Sequence, residues 1–320
     1  MKRLTALFFL AVLLYSCSTP DETSTPTPVN ETKILAVGYR SNTPGGISYT
    51  SGQDVFTNFS SSNGEAKVFK KGEDVYISAM QNTSGSLKKI GYYKNGTFTE
   101  VGSGFSVRNI YVDASNNVYL CGTNEQGYPC YWKNTQMTTL VAKQGKATDM
   151  EIVGSDVYVS GTYFFNDRTY VIASWKNGVE STYGSLNLYN NQFLPNTLIE
   201  VEGSDVYVHG SLATGPKLWK NGQDTSLTFG LATEEFKAVG TVFYYVGRSY
   251  DGTNQAASVG SNGSFSRIST AASLVNDFKI KGTDIYYCGV EANRATLWKN
   301  ATVLKKSDTD NTYFTDVWVE

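Results

Sequence analysis

The chain has 320 residues, 40% of them hydrophobic, enough for one large or two ordinary domains with a sizeable buried core. Lys and Arg (27) nearly balance Asp and Glu (29), giving a formal net charge of −2; that leaves no basic field for a phosphate backbone and argues against nucleic acid as a partner. Tyr (22), Phe (16) and Gly (30) are abundant, which leans towards an all-β fold rich in tight turns.

The first residues, Met1-Lys2-Arg3, are basic, and Leu4 to Tyr15 is an uncharged apolar run. Such a pattern reads as a secretory signal, too short to span a bilayer comfortably. The run ends in Leu14-Tyr15-Ser16-Cys17, and "STPDETSTPTPVN" follows from Ser18 to Asn30 with three of the chain's seven prolines. This segment has too little apolar surface to fold and is expected to be an extended spacer, ~40 Å long at ~3.1 Å per residue. The Leu14–Cys17 stretch resembles the bacterial lipobox, in which a small residue precedes the cysteine that is lipidated. The resemblance implies a signal peptide over 1–16, lipidation of Cys17 and a tether over 17–30. The absence of Asp after the cysteine implies the outer membrane, and the early pair Asp21-Glu22 resembles surface-export signals of Bacteroidota. The expected location is therefore an outer-membrane lipoprotein, anchored through lipid and facing the periplasm or the cell surface.

From residue 31 to 320 the sequence repeats itself. "GSDVYVSG" (Gly154 to Gly161) returns as "GSDVYVHG" (Gly203 to Gly210), "GTVFYYVG" (Gly240 to Gly247) and "GTDIYYCG" (Gly282 to Gly289). "ETKILAVG", "GEDVYISA" and "SNNVYLCG" are looser copies nearer the N-terminus. The positions aligned with Val157 are Ile34, Val75, Val118, Phe243, Ile285 and Val206, at intervals of 41, 43, 39, 49, 37 and 42 residues along the chain. A period near 40 residues suits four-stranded propeller units.

Each unit reads as four strands: an apolar segment such as "TDMEIV", the "DVYVSG" strand, a strand ending in Trp-Lys, and a strand after the "WKNG" turn. Asn-Gly recurs at Asn95, Asn177, Asn221 and Asn262. It signals a type I′ hairpin, whose central residues both need φ > 0. The tryptophan beside it is expected to pack unit against unit. The chain ends in "TDVWVE", which matches a first strand, whereas the first unit begins at its second strand. The expected fold is thus an all-β, seven-bladed β-propeller whose C-terminal strand closes the N-terminal blade. "YVDASNNVYLCGT" (Tyr111 to Thr123) resembles the bacterial seven-bladed propeller repeat, and the whole of 31–320 is similar to exported propellers of Bacteroidota. That family implies a fold and no single activity.

In such a propeller the loops after strands two and four share the face where ligands usually sit. Two loops there break the repeat, Gly161 to Ala173 and Ser181 to Asn196. They offer Tyr163, Phe164, Phe165, Asp167, Arg168, Tyr170, Tyr183, Tyr189, Asn190, Asn191 and Phe193 as candidate binding residues. Rings stack on sugars or peptides while amides read hydroxyl and backbone groups; packing of these loops onto the propeller is the competing reading.

The lone His209 shares its repeat position with Val37, Ser78, Cys121, Ser160, Val246 and Cys288, which marks a packing site. Cys121 and Cys130 bracket a hairpin and are candidates for a disulfide, with free buried thiols as the alternative. Glu151, Glu200, Lys237 and Lys279 fall at one register of successive first strands. The two acids make a candidate glycosidase-type acid/base pair, although inter-blade ion pairs with the lysines explain them more simply. Asp308 and Asp310 alternate without the glycine and closing acid of a calcium loop, so neither a metal nor another cofactor is expected. The expected function is a binding or interaction module for glycan, peptide or another envelope protein. A carbohydrate-active enzyme using Glu151 and Glu200 is the alternative, and a structural or adhesive envelope protein the third reading.

Overall fold

The computed structural model describes residues 32–41, 46–50, 53–55, 66–166, 168–187, 196–212, 214–227, 229, 232–252, 254–269 and 271–320. Cys17 and the tether lie outside these residues. The described secondary structure is entirely β, all within the compact unit Lys33–Glu320.

Repeats four to seven are each a four-stranded antiparallel meander in chain order. In the fourth repeat the strands are Gly145–Val153, Asp156–Asn166, Thr169–Lys176 and Val179–Asn187. Repeats two and three share one seven-stranded sheet because the 16-residue strand Thr97–Val112 serves both. Its first half, to Gly104, pairs with Lys88–Lys94, and its second half pairs with Val118–Asn124. The C-terminal strand Thr312–Val319 pairs antiparallel with Ile34–Arg40, so the two ends of the chain build one sheet, as the unpaired "TDVWVE" led one to expect. First strands of successive repeats touch in order, and the contacts return to their start: Ser273–Lys281 touches Thr312–Val319, which touches Val68–Lys71.

The buried apolar residues form clusters drawn from pairs of successive repeats. Trp175 of the fourth repeat packs with Tyr119 and Cys121 of the third, and Trp219 of the fifth with Tyr158 and Ile172 of the fourth. Trp132, Trp175 and Trp298 are almost fully buried. Burying such rings, at roughly 25 cal/mol per Å² of apolar area, helps hold together sheets that share no strand ladder.

The recurrent "WKNG" is explained by bonds it makes to the second strand. The asparagine adopts positive φ (Asn95 48°, Asn134 53°, Asn177 51°, Asn221 49°, Asn262 47°, Asn300 48°), with a positive-φ glycine after it at Gly96, Gly178, Gly222 and Gly263. Asn177 Oδ1 accepts the Val157 N–H at 2.9 Å, its Nδ2 donates to Asp156 at 2.8 Å, and its N–H donates to the Val157 carbonyl at 2.8 Å. The same bonds recur at Asn95, Asn221 and Asn300. Beside each, a lysine pairs with the same aspartate (Lys94–Asp74, Lys176–Asp156, Lys220–Asp205, Lys299–Asp284). Its ammonium lies 5.0–5.5 Å from a tyrosine ring centroid, Lys176 over Tyr158 being the nearest and Lys299 over Tyr286 the farthest. The motif is a hairpin clasp.

Candidate functional site

In four repeats the glycine that ends the "DVYVSG" strand is required by a β-bulge opposite it. A Cβ at Gly38, Gly122, Gly161 or Gly289 would collide with the carbonyl oxygen of Tyr313, Ser106, Lys146 or Leu274 in the paired first strand. There the register slips by one residue, leaving Arg108, Thr148, Glu234, Asn276 and Thr315 as the unpaired residue. A bulge re-aims side chains. Here it turns two consecutive residues of each first strand towards the place where the first strands converge.

The second residue of each pair is Asp316, Lys67, Asn109, Asp149, Leu198, Glu235 or Asp277, taken in order of contact. Asp149 Oδ1 accepts Asn109 Nδ2 at 2.6 Å, and Oδ2 accepts the N–H of Ile199 in the next repeat at 2.8 Å. Asp316 Oδ2 accepts the Val68 N–H at 2.6 Å, and Asp277 Oδ2 accepts the Val317 N–H at 3.1 Å. These carboxylates stitch one first strand to the next. Lys279 pairs with Asp277 at 2.9 Å and reaches Asp316 at 3.8 Å. Lys67 crosses from the second repeat to Glu235 of the sixth, 3.7 Å away.

Above this ion-pair layer lies a cavity of about 200 Å³, lined by Arg108, Thr148, Asn196, Glu234, Asn276 and Thr315, with Lys67, Asp149, Leu198 and Glu235 as its floor. Burial opposes the Lys67 ammonium, but the charges of Asp316, Asp277, Glu235 and Asp149 outweigh it and hold its pKa well above the lysine range. Burial lifts the Glu235 carboxyl to about 8 against the pull of Lys67. Burial and the charge of Asp277 lift Asp316 likewise to about 8. At the rim, Glu234 faces Arg248 at 3.7 Å. Opposite, burial brings Arg108 down to about 10, and burial together with the Arg108 charge brings Lys146 down to about 7. Lys146 Nζ donates to Asn196 Oδ1 at 2.8 Å. One wall is thus cationic and the other acidic, and an anion beside Arg108 and Lys146 would relieve their mutual repulsion.

None of the described loop aromatics singled out from the sequence lines this cavity. Tyr163 is buried with its hydroxyl donating to Glu180 at 2.9 Å, and Tyr170 is 1% exposed, its hydroxyl on the Ser211 carbonyl at 3.3 Å. Tyr183 shares a 2.6 Å hydrogen bond with Ser174, and Phe164 packs at the edge of the Trp219 cluster. Phe165 is 64% exposed with the Lys143 ammonium 4.8 Å from its centroid, and Arg168 is exposed. Asp167, Tyr189, Asn190, Asn191 and Phe193 lie outside the described residues.

Glu151 and Glu200 sit below the cavity. Glu151 accepts the Val201 N–H at 2.5 Å and Glu200 pairs with Lys237 at 3.2 Å, so both carry inter-repeat bonds. Burial, then the charge of Glu200, raises Glu151 to about 8. His209 is 3% exposed, pairs in register with Leu198 and packs edge-on against Phe229 at 5.0 Å. The Cys121–Cys130 disulfide does not form: both thiols are free and buried. In register Cys121 faces Tyr131 and Cys130 faces Gly122, and adjacent positions on a strand point to opposite faces of the sheet. Cys121 accordingly packs with Met150 and Trp175, and Cys130 with Ile90 and Trp132. Among the described residues no three His, Cys, Asp or Glu side chains converge as metal ligands, and Asp310 is bonded to Arg294 at 2.6 Å.

Neither a family model nor a curated protein sequence matches the chain. Among solved structures it is similar to a puromycin-hydrolysing peptidase of Mycobacterium tuberculosis at 8% identity and a TM-score of 0.51, over 82% of this chain and 48% of that one. It is also similar to the β-propeller domain of the Trilobed protease from Pyrococcus furiosus (11% identity, TM-score 0.49, 83% and 87% of the two chains). A third is Citrobacter koseri AztD (9% identity, TM-score 0.48, 90% and 98%). At such identities the likeness speaks to fold alone, and with the meander sheets and their circular contacts it makes this chain a β-propeller.

Proposed function

We propose that the chain is a seven-bladed propeller, lipid-anchored through Cys17 in the outer membrane, that works as a binding module and captures the acidic end of a glycan or peptide in its axial mouth. The blade count follows the seven sequence repeats, with the shared strand Thr97–Val112 counted once in each of two blades.

The observation that carries the reading is an asymmetry. Five repeats share the same bulge, yet the residues it presents at the rim are Thr315, Arg108, Thr148, Glu234 and Asn276. A mouth with Arg108 on one side and Glu234 on the other suits one ligand in one orientation. A volume of about 200 Å³ falls below the ~300–1,000 Å³ of sites for whole drug-sized ligands and matches a single residue or sugar inserted from a longer chain.

Two experiments test this. Radiolabelled palmitate should enter the wild-type chain and fail to enter Cys17→Ala; label in both, or in neither, refutes the anchor. Isothermal titration with uronic-acid oligosaccharides and acidic peptides should give saturable binding to at least one of them, and no heat from any of them refutes the acidic ligand.

A further inference from the structure

The sixth blade departs from the clasp at three positions together. Val242 stands where Asp74, Asp156, Asp205 and Asp284 stand in other blades. Gly260 replaces the ring of Tyr93, Trp132, Trp175, Trp219 and Trp298, and Ser261 replaces the lysine. The loss of the tryptophan is compensated on one side. The fully buried Tyr245 lies against Gly260, where a Cβ would strike its ring, and its hydroxyl donates to the Ser264 carbonyl at 2.8 Å. Tyr245 packs there with Phe229 and Phe236, so the interface with the fifth blade is refilled.

On the other side nothing replaces the lysine. In five blades an ammonium covers the face of the equivalent tyrosine; Tyr244 has no such cover among the described residues. Its ring instead lines a groove of about 360 Å³ between the sixth and seventh blades, with Phe265, Tyr287 and the serines Ser261, Ser264 and Ser266. Phe265 is 43% exposed at the outer edge. The interface with the seventh blade keeps its packing around Val246, Phe278 and Trp298 and is open only at the groove.

We infer that this groove is a second binding site, for a neutral sugar ring. Its volume falls in the small-molecule range of ~300–1,000 Å³. Aromatic faces take the C–H face of a pyranose, and serine and tyrosine hydroxyls exchange hydrogen bonds with its hydroxyls. Among the described residues no charged side chain lines the groove, so an anion finds no partner there. An ammonium could use the bare Tyr244 face, but the aspartate that accompanies the lysine in four blades is gone too, and its lost hydration would be uncompensated. The inference stands apart from the axial reading, because the two sites share no residue.

The test is saturation-transfer NMR on the full chain in a non-glycosidic detergent, with methyl glycosides of neutral hexoses and N-acetylhexosamines as probes. The wild type should give transfer to at least one glycoside at millimolar concentration, and Arg108→Gln should give the same. Val242→Asp with Ser261→Lys rebuilds the clasp, with Asn262 already in place, and should weaken binding at least tenfold without lowering the melting temperature. Phe265→Ala, a change at an exposed outer strand, should weaken it severalfold and guards against misfolding of the double variant. Absence of transfer to any glycoside overturns the inference. So does binding unchanged in both groove variants, or binding lost in Arg108→Gln alone, which would put the sugar in the axial mouth.

Discussion

The Lys67 ammonium meets the Glu235 carboxylate at 3.7 Å, although the two residues belong to the second and sixth repeats and to sheets that do not pair. The bridge ties opposite blades across the axis and closes the floor of the mouth. Replacing Lys67 by Met leaves Glu235, Asp149, Asp277 and Asp316 without their shared counter-charge. Losing that counter-charge destabilises the folded state. Glu235 and Asp316 already titrate near 8, above their unfolded values, so their contribution is complete below the unfolded carboxylate range and is lost as pH rises through about 8. Lys67→Met should therefore be most destabilised at pH 8 and recover towards pH 5, as read by denaturant unfolding.

His209 sets a slope of the opposite sign. Burial lowers its pKa to about 4, and among the described residues neither ring nitrogen has a hydrogen-bond partner. The folded state holds the neutral ring, so stability is full above the ordinary value near 6.5 and falls as pH drops through 6.5 towards 4, by about 3 kcal/mol in all. His209→Leu should remove that loss; unfolding curves at pH 7 and pH 4.5 would then differ less than in the wild type.

Glu151 separates the catalytic from the structural use of the paired acids. It accepts the Val201 N–H, which a glutamine oxygen can do equally well without charge. Its pKa is raised to about 8, so the wild type gives up stability as pH rises towards that value. Glu151→Gln should match the wild type near pH 4 and gain on it as pH rises to 8, by roughly 3–5 kcal/mol in all.

Cys121, Cys130 and Cys288 are buried and free, and burial pushes their thiol pKa values up. Thiol titration should find all three unreactive in the folded protein and reactive in denaturant without reductant. Two equivalents fewer would restore the disulfide.

The fold was legible because its clasp demands particular chemistry. Positive φ after a strand selects Asn-Gly, and the Asn side chain then needs the Asp and the backbone of the second strand, so the motif recurs wherever the hairpin does. The end-to-end sheet was readable from one strand left over at the C-terminus and one missing from the first unit. The axial mouth was not. Strict alternation places Thr148 and Asp149, or Arg108 and Asn109, on opposite faces, and only the bulge turns both inwards. Its charges are also scattered singly, Lys67, Arg108, Glu234 and Glu235 lying in three separate repeats, and become a group only when the first strands converge. A signal was present one row above Glu151 and Glu200, where Asp149, Asp277 and Asp316 share a register that Lys67 and Glu235 break. The aromatics of 161–173 drew attention instead because they interrupt the repeat, yet Tyr163 and Tyr170 are buried and bonded within the blades.

The axial mouth is tested most directly by isothermal titration of the best-binding acidic glycan or peptide into three forms of the protein: wild type, Arg108→Gln and Phe165→Ala. Arg108 lines the mouth, whereas Phe165 stands exposed on the loop face away from it. The expected result is affinity reduced at least tenfold in Arg108→Gln and unchanged in Phe165→Ala. Affinity lost in Phe165→Ala and kept in Arg108→Gln would contradict it and return the site to the loops.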